Sequence, residues 1–154
     1  MPMLEYMRRQ LAGTLAPDDA AHMRHPPAIW QTLGFCLVAV GEGEAIVETN
    51  ADPAKHGNQQ GTIHGGFLCE LADAAIGAAH STLMREGETF ATVELKINYF
   101  RPSWKTVLRA EAKPMQSGKT LTHYRATITR ADGKTAAIVT STVITLRGER
   151  AKGR

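Results

Sequence analysis

Eleven consecutive residues carry most of the chemistry-bearing side chains of this 154-residue chain: His56-Gly57-Asn58-Gln59-Gln60-Gly61-Thr62-Ile63-His64-Gly65-Gly66. A long apolar segment follows, with one carboxylate, Asp73, about two helical turns in. Paired glycines at a helix start leave backbone N–H groups uncovered, and the first N–H groups of a helix have no internal acceptor. They also sit at the positive end of the helix dipole, so Gly65 is a candidate oxyanion donor. The same glycines would also serve a tight turn or close packing. Asp73 reads in three ways: a solvent-facing or capping carboxylate, a salt-bridge partner, or a base whose basicity rises at the edge of an apolar pocket. His64 is a candidate general base, metal ligand or loop-ordering residue. With no second ligand at a fitting spacing, no metal is expected. His56 and His80 read as ordinary polar residues. No G-x-S-x-G elbow, P-loop or G-x-G-x-x-G is present.

These residues need elements to hold them. Residues 65–84 predict one long helix, with Phe67, Leu68, Leu71, Ala72, Ala75, Ile76, Ala79 and Leu83 covering nearly its whole circumference. Its non-apolar residues, Glu70, Asp73, Gly77, His80 and Ser81, follow steps of three and four and form one stripe. Twenty residues reach roughly 30 Å at about 1.5 Å each. A helix apolar almost all round is buried almost all round, and a curved sheet is the natural wrapper. Strand patterns supply it: residues 34–40 and 45–49 around the turn 41–44, then 89–101, 107–115, 120–130 and 135–146. Asp132-Gly133 marks a hairpin. Residues 3–15 predict a short helix, and 28–32 another turn of helix. The expected layout is α+β: a five- to six-stranded antiparallel sheet around one central helix. Residues 1–32 form a helical extension, 33–147 the domain, and 148–154 a basic, frayed tail.

Composition narrows the classes. A hydrophobic share of 43% supports a core, and 21% charge argues against disorder. No apolar run is long enough to span a bilayer, so no membrane role is expected. Net charge is +3, and no basic patch interleaved with aromatics appears, so no nucleic-acid partner is expected. No secretory leader is visible, and the cytoplasm is the expected compartment. Cys36 and Cys69 lie among apolar residues and read as buried free thiols.

The segment from Asn58 to Ala75, N-Q-Q-G-T-I-H-G-G-F-L-C-E-L-A-D-A-A, resembles the signature of hot-dog-fold acyl-CoA thioesterases, and most closely the phenylacetyl-CoA thioesterase (PaaI-type) family. The likeness continues through Thr92 to Pro102 and Ser117 to Leu121, and the order of elements agrees over residues 33–147. It implies a hot-dog fold and hydrolysis of a small aryl- or medium-chain acyl-CoA to the free acid and coenzyme A. It implies that Asp73 is base or nucleophile and that the Gly65 N–H polarises the thioester carbonyl. Asn58 would position water or substrate, His64 would order the turn, and Thr92 would contact the catalytic water. Tyr99, Arg101, Gly118, Lys119 and Thr120 would line the coenzyme A groove. No cofactor beyond the substrate's own coenzyme A is implied. The site would be shared across a homodimer, with a dimer of dimers as the expected assembly.

Two other readings stay open. One is a non-catalytic module binding acyl-CoA through the same fold, against which Asp73 speaks. The other is a hot-dog hydratase or dehydratase, which the spacing of His64 and Asp73 fits less well.

Overall fold

A computed structural model describes residues 1–153. The elements in order are α1 (Met3–Ala12), α2 (Ala28–Leu33), β1 (Phe35–Gly41), β2 (Glu44–Ala51), α3 (Pro53–His56), α4 (Gly65–Ser81), β3 (Thr89–Tyr99), β4 (Thr106–Ser117), β5 (Leu121–Arg130) and β6 (Thr135–Leu146). The six strands form one antiparallel sheet in the order β1-β2-β4-β5-β6-β3. α4 lies against its inner face.

The packing follows from the sequence pattern. β2, β4 and β5 alternate strictly, so Val47, Leu108, Ala110, Ala112, Tyr124, Ala126 and Ile128 all face α4 with almost no exposure. Many of these residues are alanines. Small side chains on strand and helix let the sheet close tightly around the helix. α4 buries Leu71, Ala72, Ala75, Ile76 and Ala79 completely. It starts at His64, which caps it, and stops at Ser81, where the Thr82 hydroxyl donates to the Ala79 carbonyl and accepts from the Gly43 N–H. The expected helix ran three residues further. α1 ends at Ala12, not 15, because Gly13 takes a left-handed φ of 68° and closes the C-terminus. Met3 and Met7 of α1 and Trp30 of α2 join the main core, so the N-terminal extension is packed onto the domain.

Three expectations are corrected here. Cys36 is exposed and Cys69 only half-buried, so the two thiols are not both core residues. In β1 the neighbours of Cys36 take the inward side, and strand alternation turns Cys36 outward. His80 is not an ordinary polar residue. It is 1% exposed, with its Nδ1 3.0 Å from the Tyr124 hydroxyl and its Nε2 3.0 Å from the Thr145 hydroxyl. The helical stripe carrying Asp73 runs under the sheet by the time it reaches His80 and Ser81. The first part of the tail also has structure: Gly148–Ala151 form a 3₁₀ turn, and the Arg147 side chain just before it donates to Glu88, while Arg154 lies outside the described residues.

Burial holds the imidazole of His80 neutral by lowering its pKa to about 4, and the same is true of His25. In the unfolded chain these rings bind protons near pH 6.5, so the unfolded state gains protons first as pH falls. Their stabilisation is complete above about pH 6.5 and is lost as pH falls toward about 4. The melting temperature should therefore decline across that window. His80→Leu should flatten part of the decline and lower stability at pH 7, because the Tyr124 and Thr145 hydroxyls lose a buried partner at a cost of about 1–3 kcal/mol each. Thermal melts of both proteins at several pH values check this.

Candidate active site

The loop before α4 is built by its own side chains. Asp52 caps α3 by accepting from the Ala54 N–H, and its own N–H donates to His56 Nδ1. The His56 ring stacks on Phe67, with centroids 4.1 Å apart. Asn58 Oδ1 accepts from the N–H groups of Gln60 and Thr62, while its Nδ2 donates to the Thr62 hydroxyl at 2.9 Å. The Ile63 N–H donates to the Ser103 carbonyl, tying the loop to the chain after β3. A side chain at Gly57 would run into the Pro53 carbonyl, so only glycine fits.

The start of α4 is shaped by His64 and Tyr99. His64 Nδ1 accepts from the Gly66 N–H at 2.9 Å. That acceptor role places the proton of the neutral ring on Nε2. His64 is therefore the N-cap of α4, which is the loop-ordering reading of the three. Tyr99 donates its hydroxyl to the Gly65 carbonyl at 2.8 Å, and the Cys69 thiol lies 3.4 Å from the same hydroxyl. A Cβ on Gly65 would sit 2.7 Å from the Tyr99 oxygen, so the close approach requires glycine here. Among the described residues the Gly65 N–H has no hydrogen-bond acceptor. Asn58, Gly65, Tyr99, Phe100 and Arg101 line one open cavity of about 380 Å³.

Asp73 lies elsewhere. It lines a second cavity of about 220 Å³, with Glu70, Gly77, Phe90 and the N-terminal residues Met23, His25 and Trp30. Thr92 of β3 donates its hydroxyl to Asp73 Oδ1 at 3.1 Å. Burial raises the Asp73 pKa above the usual aspartate range, and the Thr92 hydrogen bond opposes that rise. Burial, together with the charge of Asp73, also raises Glu70. The salt-bridge reading is not met: no Lys or Arg among the described residues pairs with Asp73. Among the described residues no cluster of three or more His, Cys, Asp or Glu side chains is placed to hold a metal.

Within one chain these residues line two separate cavities. Asp73 is eight residues along α4 from Gly65, roughly 12 Å at about 1.5 Å per residue. One thioester carbonyl cannot reach both. The groove residues divide in the same way. Arg101 sits at the start of β6, its guanidinium donating to the Thr135 carbonyl. Gly118, Lys119 and Thr120 form the β4–β5 turn at the other end of β6, where the Thr145 N–H donates to the Thr120 carbonyl. Ten residues of strand separate the two ends, roughly 33 Å at about 3.3 Å each. Gly118, Lys119 and Thr120 line neither cavity.

β3 explains the division. It forms one edge of the sheet and meets α4 at two places: Thr92 beside Asp73, and Tyr99 beside Gly65. Its outer edge has no strand partner among the described residues, yet Val93 is 58% exposed and Tyr99 and Phe100 are also exposed. Sequence patterning flagged Gly65 and Asp73, and the family resemblance added Thr92 and Tyr99. It missed the ring stacking of His56 and the polar bracing by Thr62. For the N-terminal segment the sequence left two places open, capping an acyl pocket or packing beside a dimer; the structure lays Met23, His25 and Trp30, which look like ordinary apolar and turn residues, along the Asp73 cavity.

Comparison with known proteins agrees with this architecture. Residues 60–137 match the family model of the thioesterase superfamily. The phenylacetic acid degradation protein PaaI of Thermus thermophilus, solved as a point mutant, is 29% identical; 77% of this chain covers 98% of it, with a TM-score of 0.71. The PaaI protein of E. coli is 25% identical, with 94% of this chain covering 97% of it and a TM-score of 0.75. A provisionally named esterase of Saccharolobus solfataricus is 30% identical over 111 residues, which are 71% of this chain and 76% of that protein. No helix among the described residues is long and apolar enough to cross a membrane. The chain belongs to the thioesterase superfamily and is a thioester hydrolase of the PaaI-type hot-dog kind.

Proposed function

We propose that this chain hydrolyses a small aryl- or medium-chain acyl-CoA to the free acid and coenzyme A, using a site completed by a second copy of itself. The observation that carries the reading is the paired half-sites at the two ends of edge strand β3. A two-fold axis near the middle of β3 would join two sheets edge to edge. It would bring Gly65 and Asn58 of one copy toward Asp73 and Thr92 of the other. The same rotation brings Arg101 of one copy toward the Lys119 end of the other. The two cations too far apart within one chain would then flank one coenzyme A, together with Tyr99, Gly118 and Thr120. Burial of the apolar edge residues favours this pairing, because an exposed edge strand is a liability for a lone chain. A dimer of such dimers is the assembly proposed for solution, and the cytoplasm the compartment.

The chemistry then needs few parts. The thioester carbonyl oxygen takes its hydrogen bond from the unpaired Gly65 N–H, reinforced by the positive end of α4. Asp73 either removes a proton from water as it attacks or attacks the carbonyl itself; in both cases the thiolate of coenzyme A leaves, and in the second a water then hydrolyses the acyl–Asp73 anhydride, releasing the free acid and restoring the carboxylate. Thr92 holds one carboxylate oxygen, so the other faces the substrate. Asn58 and His64 keep the loop in shape around the oxyanion site. The reaction uses no cofactor beyond the coenzyme A of the substrate.

Asp73→Asn preserves shape but removes base and nucleophile, so kcat for acyl-CoA should fall by about 10²–10⁴-fold while acyl-CoA binding persists. A thiol-release assay and a binding titration on the same variant check this, and near-normal turnover would exclude Asp73 from the chemistry.

The pH profile carries its own sign. Asp73 must be ionised, and its pKa is raised by burial, so the acidic limb should lie above the ordinary aspartate range. Thr92→Val removes the hydrogen bond that lowers this pKa. The limb should move further toward neutral pH, readable in kcat/KM against pH. An unmoved or lowered limb would contradict the assigned contact.

Sharing of the site has a mixing test. Asp73→Asn and Gly65→Val should each be inactive alone. After co-refolding in equal amounts, roughly a quarter of the parent activity should return, because half of the dimers are mixed and each holds one intact site. No recovery would place each site within a single chain.

A further inference from the structure

Gly77 sits in the middle of a buried helix, where glycine is unfavourable relative to alanine. Two common reasons for such a glycine are absent. Its φ is not positive, and an added Cβ would meet nothing closer than the Phe90 ring at 3.9 Å. Neither backbone conformation nor close packing requires it. What the missing side chain leaves is space. Gly77 lies one helical turn beyond Asp73 and lines the same cavity, flanked by Ala74 and Ala78. The opposite wall comes from the N-terminal segment: Met23, His25 and Trp30. The His25 ring packs edge-on against Trp30, and its buried Nε2 has no hydrogen-bond partner.

We propose that Gly77 sets the size of the acyl group this enzyme accepts, by leaving open the part of the cavity between Asp73 and the wall of Met23, His25 and Trp30. This rests on the acyl-CoA reading above, in which the acyl carbon is bound at Asp73. The acyl chain then extends along α4 away from the reacting atoms, toward Gly77. The cavity holds about 220 Å³. A sealed apolar cavity of about 150 Å³ accepts benzene, so the volume here suits a ring with a short linker or a short branched chain. The N-terminal segment thereby joins the substrate site, and the limit on acyl size comes from two parts of the chain more than forty residues apart in sequence.

The test measures kcat/KM for a series of acyl-CoA thioesters from acetyl to tetradecanoyl, including ring-bearing acyl groups. It compares the parent, Gly77→Ala, Met23→Ala and the double variant. Gly77→Ala replaces a helical glycine with the strongest helix former, so its melting temperature should equal or exceed the parent's. Its ratio of kcat/KM for the largest good substrate to that for acetyl-CoA should fall roughly tenfold or more, the usual cost of one misplaced methyl group in an apolar pocket. Adding Met23→Ala should return that ratio toward the parent value by opening the opposite wall. Met23→Ala alone should move the optimum to a larger acyl group. A ratio unchanged within about twofold in all three variants would overturn the inference while leaving the thioesterase reading intact. A parent protein that releases no thiol from any acyl-CoA would overturn both.

Discussion

Enclosure of α4 is the constraint on which the rest of the structure depends. Eleven of its seventeen residues are buried, and they cover nearly every side of the helix. Apolar burial at about 25 cal/mol per Å² makes exposure of such a helix untenable. The sheet must therefore curve around it, and alanines on both partners make the close approach possible. One line of the helix escapes full enclosure, and that line carries Glu70, Asp73 and Gly77. The carboxylate is thus held partly desolvated without being sealed off. Its pKa rises for that reason, and Thr92 limits the rise.

The same enclosure decides how Gly65 and Asp73 lie along the edge strand. The sheet ends at β3, which runs beside α4 in the opposite direction. The start of the helix meets the end of the strand at Gly65 and Tyr99, while Asp73 meets Thr92 nearer the strand's start. The Gly65 N–H and the Asp73 carboxylate are kept apart by the rigid rise of the helix, and no loop movement within one chain removes that separation. An edge strand carrying these two contacts toward its two ends is the arrangement on which the proposed two-fold pairing rests. The glycines serve different ends in this frame: Gly65 admits the Tyr99 hydroxyl, Gly57 admits the Pro53 carbonyl, and Gly77 admits nothing from the protein.

Much of this was legible in the residues. The all-apolar stretch after His64 predicts a buried helix, and strict alternation predicts the strands that cover it. Asp132-Gly133 places a hairpin correctly. Element ends were less legible, because they depend on single contacts: the Thr82 hydroxyl stops α4, and the left-handed Gly13 stops α1. His80 shows the limit of the helical stripe as a guide. A polar residue in register with Asp73 is expected to share its exposure, yet the sheet closes over that end and supplies two hydroxyls to the ring. Cys36 erred the other way, since apolar neighbours in sequence are not neighbours in space along a strand.

The sequence by itself determined the elements, the oxyanion loop and the candidate carboxylate, because each of these is written in local spacing: glycines before a helix, one acid within an apolar run, alternation along strands. Its resemblance to a known family also placed Thr92 beside the site, although nothing local marks that residue. Only the tertiary structure decided two other things. It sent Arg101 and Lys119 to opposite ends of β6, and it laid Met23, His25 and Trp30 across the Asp73 cavity. Each of these joins residues distant in the chain through sheet order and helix packing, and neither composition nor periodicity encodes which distant surfaces will meet.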